Sequence, residues 1–372
     1  MEPDAWRGKK GTTPHRAEGG PVPSSSVIAR PLLLAAALHM AMAVCAGAMA
    51  QPAMVRGANV AGGDFGAVPG VYGTDYTYPT KAEIDYYADR GFNALRLPFR
   101  WERIQHDLYG DLDTVGDGTG DFERVRQVVG WITGRGMVAI LDLHDYGGRN
   151  VGGVPAKVGS AALPATALAD LWVRLAGIFK NDERVWFGLM NEPEGISAAG
   201  WKKIAQSVTD AIRATGARNR LLVPGTDYSG AHSWVSSGNA EQMATFVDPA
   251  DNFAFEVHQY LDADSSGKKG ICVPGAGASR LAPFIDWAKS ASDRKGFLGE
   301  FAAGDPSVAG QEQCRAELAA LLETAERSGV FIGWTAWGGG LWWEPSYIFR
   351  LEPMDLTGPE TGLMRLLTPY VQ

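Results

Sequence analysis

The sequence is poor in cysteine and in clustered positive charge, and several common ligand-binding motifs are missing from it. Only 3 of its 372 residues are cysteine, and its formal net charge is −8 at pH 7. Because no Lys/Arg-rich helix or basic patch stands out, neither nucleic acid nor an anionic membrane surface is expected as a partner. No G-x-G-x-x-G follows the first predicted strand, and no H-x-x-x-H or Cys/His cluster completes a metal site. We therefore predict neither cofactor nor metal, and a neutral polysaccharide remains compatible with the acidic chain.

The first fifty residues are predicted to be an export leader. A basic, Pro/Ser-rich stretch ends at Arg30, and the apolar run after it is short for a membrane span. That run finishes in Ala48-Met49-Ala50, a typical signal-cleavage pattern. We expect residues 1–50 to be removed and residues 51–372 to form one catalytic domain, secreted or periplasmic and free of the membrane. A retained membrane anchor is the alternative.

Removal of the leader would leave two cysteines, Cys272 and Cys314. An even number in an exported chain suggests a disulfide, although two unpaired thiols are also compatible with the sequence. A bridge would close a loop of about 40 residues and contribute about 4 kcal/mol to stability on the chain-entropy model.

Short apolar runs alternate with amphipathic helical stretches from Met54 onward. Eight runs have the length and composition of buried parallel strands. They are 55–62, 92–99, 138–144, 185–192, 220–225, 253–260, 296–301 and 330–337. Eight such units in about 320 residues fit an α/β fold, a single (β/α)8 TIM barrel whose long loops form an open cleft. An open doubly wound sheet is the alternative, but polar residues stand at most strand ends instead of at one switch point.

Two glutamates end apolar runs, Glu192 in VWFGLMNE and Glu300 in GFLGE. The carboxyl ends of barrel strands meet at one face, where functional groups gather. Glycoside hydrolysis needs two carboxylates, one to protonate the leaving oxygen and one to attack or to activate water. The two glutamates therefore predict a glycosidase site.

Polar side chains also follow most of the other predicted strands. The candidate supporting residues are Arg96, His144, Asn191, His258 and Tyr260. Alternation of side chains along a strand places Glu256 with His258, and Asp142 with His144, on one side of the sheet. Asp145 would point elsewhere, so these residues make only a weak metal-ligand pattern.

Each supporting residue also has a purely structural interpretation. Arg96 would neutralise a buried carboxylate such as Glu256, or it would hold Glu300 ionised, and the two roles are compatible. His144 and His258 could be core histidines, but they stand where a substrate would lie.

Aromatic residues near strand ends could stack on sugar rings. Trp337, Trp234 and Tyr146 are predicted to do so because each stands in or next to a loop after a strand. The pair Trp342 and Trp343 has the same placement, although most tryptophans are core residues.

The motifs RLPF, LDLH, VWFGLMNEP, VHQY, GFLGEF and WGGG resemble, in this order, those of glycoside hydrolase family 5. The chain is similar to the secreted endo-β-1,4-glucanases of that family, the cellulases, from Arg56 to Gly340. The motif NEP alone recurs in related barrel families. The resemblance to this one family therefore depends on the whole ordered series of motifs. The family also has cysteines near Cys272 and Cys314, which implies a bridge between them.

The resemblance implies a role for each matched residue. Glu192 would be the proton donor, Glu300 the nucleophile, and Asn191 a contact of the sugar 2-hydroxyl. Trp337 would lie under the glycone sugar. The positions that match the family arginine, histidine and His-x-Tyr pair are Arg96, His144, His258 and Tyr260.

A retaining endo-β-1,4-glucanase with its two carboxyl groups about 5 Å apart is the resulting expectation. The pKa of Glu192 would have to lie above that of Glu300, which Arg96 and Tyr260 would keep ionised. A β-mannanase or a mixed-linkage glucanase would use the same pair, whereas a non-catalytic binding barrel would be expected to lack one carboxylate. The expected partner is a β-1,4-glucan, and the enzyme is expected to act as a monomer.

Overall fold

Eight parallel strands close into a barrel in the computed structural model, which describes residues 54–115 and 119–372. They are β1 (Val55–Val60), β2 (Ala94–Phe99), β3 (Val138–Leu143), β6 (Val185–Gly188), β7 (Leu221–Pro224), β8 (Phe253–His258), β9 (Gly296–Glu300) and β10 (Phe331–Gly339). Each pairs in parallel with its neighbours, and β1 pairs with β10. The predicted TIM barrel is confirmed, and the open sheet is wrong because the ring of strands is closed.

Helices surround the barrel. They are α1 (Lys81–Asp89), α2 (Trp101–Ile104), α3 (Asp121–Gly134), α4 (Ala165–Phe179), α5 (Ala198–Ala214), α6 (Asn239–Met243), α7 (Ala276–Ser279), α8 (Ala282–Lys289), α9 (Cys314–Arg327) and α10 (Gly362–Val371). In the part of the chain that the structure describes, no helix has both the length and the hydropathy needed to cross a bilayer. The predicted leader, residues 1–50, lies outside the described residues.

The barrel interior changes from apolar to ionic along its axis. Seven strands each contribute one residue to an apolar layer: Val55, Ala94, Ile140, Trp186, Leu222, Ala254 and Phe297. Two positions further along their strands stand Arg96, Asp142 and Glu256, which face the same way because alternate strand residues share a side. Gly299 makes room for them, since a Cβ there would lie 2.2 Å from Glu256 Oε1. This ionic layer forms the floor of the candidate site.

The strand that leads to Glu192 is shorter than predicted. β6 ends at Gly188, although Asn191 N still donates to Leu143 O at 2.7 Å. Glu192 itself has φ 40°, a left-handed conformation that is uncommon outside glycine. Such backbone strain is concentrated at functional sites, where the surrounding structure holds it in place.

A hairpin occupies the Gly-rich connection after β3. β4 (Gly148–Val151) pairs antiparallel with β5 (Val154–Lys157), where the sequence predicts only a loop. Lys157 Nζ donates to Tyr146 O at 2.9 Å and also bonds the Glu194 carboxylate. The hairpin is thereby fastened to the turn that carries Glu192.

The predicted disulfide joins Cys272 to Cys314 across a sequence separation of 42 residues. Cys272 lies in the long loop after β8, and Cys314 is the first residue of α9. The bridge therefore anchors the loop after β8 to the outer helical layer, and the alternative of two free thiols is wrong.

Candidate active site

Arg96 lies at the centre of the ionic layer and is fully buried. Its guanidinium pairs with Asp142 at 2.9 Å, Glu256 at 3.0 Å and Glu300 at 3.0 Å. Burial lowers the pKa of Arg96, but the three carboxylates outweigh burial and raise it above its usual value. Arg96 is therefore a permanent cation that neutralises Glu256 and also lies beside Glu300. This position is compatible with both roles that the sequence left open for Arg96.

Two asparagines complete the surroundings of Arg96. Its Nη1 donates to Asn59 Oδ1 at 2.8 Å, and its Nη2 donates to Asn191 Oδ1 at 2.8 Å. Asn59 in turn donates to Gly299 O at 2.9 Å on β9, two strands round the barrel from β1. Asn59 is not among the residues predicted from the sequence, although its even spacing from the inward-facing Val55 on β1 indicates the same side of the strand.

Glu300 is the last residue of β9 and receives two hydrogen bonds. Arg96 Nη1 donates to Oε1 at 3.0 Å, and the Tyr260 hydroxyl donates to Oε2 at 2.8 Å. Burial raises the pKa of the Glu300 carboxyl above its usual value, although His258 and Arg96 act in the opposite direction. The ionised form of Glu300 thus depends on two neighbouring cations and on one phenol donor.

His258 connects Glu192 to the floor. Its Nδ1 lies 2.7 Å from Glu192 Oε1, and its Nε2 lies 3.5 Å from Glu256 Oε1. Burial lowers the pKa of His258, but Glu300, Glu192 and Glu256 together raise it to about 10. The imidazole is therefore protonated at neutral pH and donates to Glu192. The Glu192 side chain is 16% exposed and that of Glu300 is 5% exposed, so Glu192 is the more accessible carboxylate.

The two glutamates face each other across a short gap. One donor or acceptor atom from each of Glu192, His258 and Glu300 lies within 4.8 Å of the others. Retaining glycosidases hold their carboxyl groups about 5 Å apart, whereas inverting enzymes need about 6.5–9.5 Å to admit water. Among the described residues, these three could also hold a metal ion, but protonated His258 already supplies positive charge between the carboxylates.

An aromatic wall stands on one side of this pair. His144 Nδ1 lies 2.7 Å from Asp142 Oδ2, and its ring stacks on Trp337 with centroids 5.5 Å apart. The other ring nitrogen lies 3.2 Å from the Tyr146 hydroxyl. Trp337 Nε1 donates to the Tyr347 hydroxyl at 2.9 Å, which fixes the orientation of the indole. His144, Trp337 and Tyr146 thus lie together, and their contact with substrate stays a prediction.

Trp234 does not belong to this wall. Its side chain is fully buried, and it packs against Phe284 at 5.1 Å, Trp287 at 5.2 Å and Phe255 at 5.9 Å between ring centroids. A ring with no exposed face cannot stack on a sugar. The prediction that Trp234 binds substrate is wrong, because a position near a strand end does not reveal which way the side chain turns.

A cleft of about 490 Å³ opens beside Glu192. Its lining includes Tyr146, Tyr228, His232, Tyr260 and Lys268. Tyr228 is 52% exposed and stands in a run of three left-handed residues, Asp227, Tyr228 and Ser229, with φ of 57°, 57° and 53°. Tyr228 is not among the residues predicted from the sequence, because neither periodicity nor a motif marks this conformation.

The fold and the site together define a class. A TIM barrel with two facing carboxylates at the carboxyl ends of its strands is the arrangement of a barrel glycoside hydrolase. The family model for cellulase (glycosyl hydrolase family 5) matches residues 50–340. The chain therefore belongs to glycosyl hydrolase family 5.

Named relatives and solved structures agree with this assignment. The chain is 33% identical to endo-beta-1,4-glucanase B of Emericella nidulans over 343 residues, which cover 89% of this chain and 98% of the relative. The crystal structure of the endo-beta-1,4-glucanase Xac0029 from Xanthomonas axonopodis pv. citri has a TM-score of 0.78 at 38% identity and covers 86% of this chain and 98% of that one. The structure of XacCel5A with cellopentaose has a TM-score of 0.78 at 41% identity, covering 85% and 99%.

Proposed function

We propose that this chain is a retaining endo-β-1,4-glucanase that cleaves internal bonds of cellulose or of a soluble β-glucan. The observation that carries the proposal is the approach of Glu192 and Glu300, with His258, to within 4.8 Å of one another. The names of the relatives and the cellopentaose bound to XacCel5A support a β-1,4-glucan as substrate. A β-mannanase or a mixed-linkage glucanase would use the same pair and becomes an outcome of the substrate test below.

The reaction proceeds in two displacements. Glu300 attacks the anomeric carbon, and Glu192 gives its proton to the glycosidic oxygen as that bond breaks. The glycosyl ester on Glu300 is then attacked by water, which loses its proton to Glu192 while Glu300 departs as a carboxylate. Glu192 ends the cycle protonated, as it began, so protons and electrons balance. Arg96 and the Tyr260 hydroxyl stabilise the Glu300 carboxylate before the attack and after its release.

The change of role at Glu192 follows from its coupling to Glu300. The Glu192 charge raises the pKa of Glu300, so the two carboxylates repel each other. Esterification removes the negative charge of Glu300. Glu192 then has no like-charged partner there, while protonated His258 still donates to it at 2.7 Å. Glu192 is therefore the one carboxylate of the pair that is left to accept a proton in the second step.

Internal cleavage requires sugar sites on both sides of the glutamates. On one side, Trp337 of the aromatic wall offers a ring whose orientation is fixed by the Tyr347 hydroxyl. The cleft lined by Tyr228 and Lys268 provides space of about 490 Å³ beside Glu192. A chain threaded along both would place an internal bond at the catalytic pair.

The catalytic assignment is tested by replacing each glutamate with glutamine. We expect Glu300→Gln and Glu192→Gln each to lower kcat by about a thousandfold or more, while cellopentaose still binds to Glu300→Gln. Glu183→Gln, an exposed glutamate just before β6 and at the opposite end of that strand from the site, is the matched control and should stay within about twofold of wild type.

Reducing-sugar release should be compared on carboxymethyl cellulose, mixed-linkage β-glucan and mannan, and the first anomer released should be observed by proton NMR. Initial release of the β-anomer supports retention. Release of the α-anomer, or full turnover by Glu300→Gln, would overturn the mechanism. Faster turnover of mannan or of mixed-linkage β-glucan than of carboxymethyl cellulose would overturn the substrate assignment but leave the mechanism intact.

We also infer that the mature chain works outside the cytoplasm, in the periplasm or the medium, as a monomer. The predicted leader at 1–50 supports export, and the bridge between Cys272 and Cys314 suits an oxidising compartment. Amino-terminal sequencing of the exported protein tests the leader, and light scattering tests the monomer. An intact amino terminus anchored in the membrane would contradict the first inference, and a dimer mass would contradict the second.

A further inference from the structure

A buried carboxylate shapes the loop that follows β8. Asp262 is 2% exposed, and three successive backbone N–H groups converge on its side chain. Gly267 N donates to Oδ1 at 3.1 Å, whereas Lys268 N and Lys269 N donate to Oδ2 at 3.0 Å and 3.2 Å. Asp262 has no part in the proposed mechanism and is not among the residues that line the cleft. Its burial within an active-site loop therefore needs a separate explanation.

The main chain around Asp262 is fixed as well. Arg280 Nη1 donates to Tyr260 O at 2.8 Å and to Asp262 O at 2.7 Å. Ser265 N donates to Asp262 O at 3.2 Å, which closes a turn. Because the start of the loop is held at these points, the Asp262 carboxylate is a fixed acceptor, and it determines where the backbone of residues 267–269 lies.

The loop returns to the ring of Tyr260 at Gly267. A Cβ at Gly267 would lie 2.8 Å from Tyr260 Cδ1 and Cε1 and 2.9 Å from Cγ, so the glycine backbone packs directly on the phenol ring. Gly267 also has φ 69°, which glycine adopts without strain. Phe349 stacks on the same ring with centroids 6.2 Å apart. The position of Tyr260 therefore depends on the loop as well as on the strand before it.

Tyr260 connects this loop to the nucleophile. Its hydroxyl donates to Glu300 Oε2 at 2.8 Å. Besides Tyr260, the titratable groups that face Glu300 are Arg96, His144, Tyr146, Glu192, His258 and Tyr347. None of these six belongs to residues 262–269, so Tyr260 is the group through which the loop acts on Glu300.

We propose that Asp262 is a positioning residue for the nucleophile. It fixes Gly267 against the ring of Tyr260, and the ring in turn holds its hydroxyl in place for the hydrogen bond to Glu300. Without the carboxylate, the N–H groups of residues 267–269 would lose their shared acceptor and turn to water, so the loop would leave the ring. The inference rests on the proposed function, since that function assigns Glu300 as the nucleophile.

The test compares Asp262→Asn with wild type in the pH profile of kcat/KM on cellopentaose. Asparagine has the size of aspartate, but its NH2 group cannot accept a hydrogen bond from a backbone N–H. We expect kcat/KM to fall about fivefold, less than in Tyr260→Phe because the phenol is still present. The phenol bond favours the Glu300 carboxylate, so its weakening raises the pKa of Glu300 and should move the acidic limb to higher pH. Loss of the Asp262 charge alone would act in the opposite direction.

A second comparison tests the route through Tyr260. In a Tyr260→Phe background, Asp262→Asn should cause no further shift of the acidic limb, because the hydrogen bond to Glu300 is already absent. Asp248→Asn is the matched control. Asp248 is likewise buried, at 6% exposure, and accepts from Ala250 N at 3.0 Å and Asn252 N at 2.9 Å, but it is not among the residues that line the cleft. It should lower the free energy of unfolding and leave the acidic limb in place.

The positioning role is overturned if the acidic limb of Asp262→Asn stays in place or moves to lower pH, or if its shift persists in the Tyr260→Phe background. If Asp262→Asn fails to fold, Gly267→Ala replaces it. The added methyl group would displace the ring of Tyr260, so the limb should again move to higher pH, and an unmoved limb would overturn the proposal. Absence of turnover by the wild-type enzyme, or full turnover by Glu300→Gln, would instead refute the proposed function.

Discussion

The floor of the site and its rim are built in opposite ways. The floor consists of Arg96, Asp142 and Glu256, which are buried at 0–1% exposure and stand in one layer of the barrel, on β2, β3 and β8. The rim consists of loop residues such as Tyr228 and Trp342, which are 52% and 40% exposed. The floor thus carries charge in a place without water, and the rim presents flat rings to the solvent.

Substitutions in the floor and in the rim should therefore have different effects on stability, turnover and affinity. A floor residue has charged partners that would be left unpaired without it, so its loss should lower both stability and turnover. A rim residue meets mainly water and substrate, so its loss should lower affinity and leave the fold intact. The separation would fail if a floor variant kept wild-type stability, or if a rim variant lost stability together with affinity.

Removal of the floor cation has the largest expected effect. In Arg96→Met, the carboxylates of Asp142, Glu256 and Glu300 lose their shared partner, and the free energy of unfolding at pH 7 should fall by about 3–5 kcal/mol, with turnover abolished. Burial would raise the pKa of Asp142, but Arg96 and then His144 hold it below its usual value. The stability from that low pKa is present above the pKa of an unfolded aspartate and is lost as pH falls, so the deficit of the variant should shrink toward acidic pH.

Chemical denaturation at several pH values measures this deficit. The matched control is Arg213→Met, which breaks a buried pair with Asp248 at 2.7 Å outside the site. It should lower stability and leave kcat unchanged. Wild-type stability in Arg96→Met would show that the ionic floor does not support the fold.

The floor is also the part of the site that can be predicted from the sequence. Arg96, Glu256 and Glu300 stand on strands whose apolar runs are recognisable, and alternation along a strand tells which residues share a side. The eight strands are confirmed for the same reason. The error at β6, which ends at Gly188 instead of Glu192, arises because Leu189 and Met190 continue the apolar pattern after the strand has ended.

The rim resists prediction because loop conformation is set by contacts that no local pattern encodes. The left-handed backbone at Tyr228 and the hairpin of β4 and β5 carry no periodic signal. Trp234 shows the opposite error, since a tryptophan near a strand end looks accessible in sequence but is buried by Phe284 and Trp287.

An intermediate effect is expected at Tyr260, which lies between floor and rim. Tyr260→Phe removes the 2.8 Å hydrogen bond to Glu300 Oε2 and should lower kcat/KM by about tenfold, the usual size for a bond to a charged group. Since that bond favours the carboxylate, its loss raises the pKa of Glu300 and should move the acidic limb of the pH profile of kcat/KM to higher pH. Tyr78→Phe, which removes another buried phenol, is the control and should leave that limb in place. If the acidic limb of the profile does not shift in Tyr260→Phe, the Tyr260 hydroxyl does not act on the ionisation of Glu300. Tyr260 would then behave as a rim residue.

The smallest effect is expected at the rim itself. Tyr228→Gly should raise KM for cellopentaose about two- to tenfold with kcat unchanged, since a stacked ring contributes about 0.5–1.5 kcal/mol. Glycine also suits φ 57°, so the free energy of unfolding should stay equal or rise. Tyr109→Gly is the matched control, because Tyr109 is likewise exposed, at 47%, and left-handed, with φ 63°, but is not among the residues that line the cleft. It should match Tyr228→Gly in stability and leave KM unchanged; a fall in stability confined to Tyr228→Gly would show that the rim, too, supports the fold.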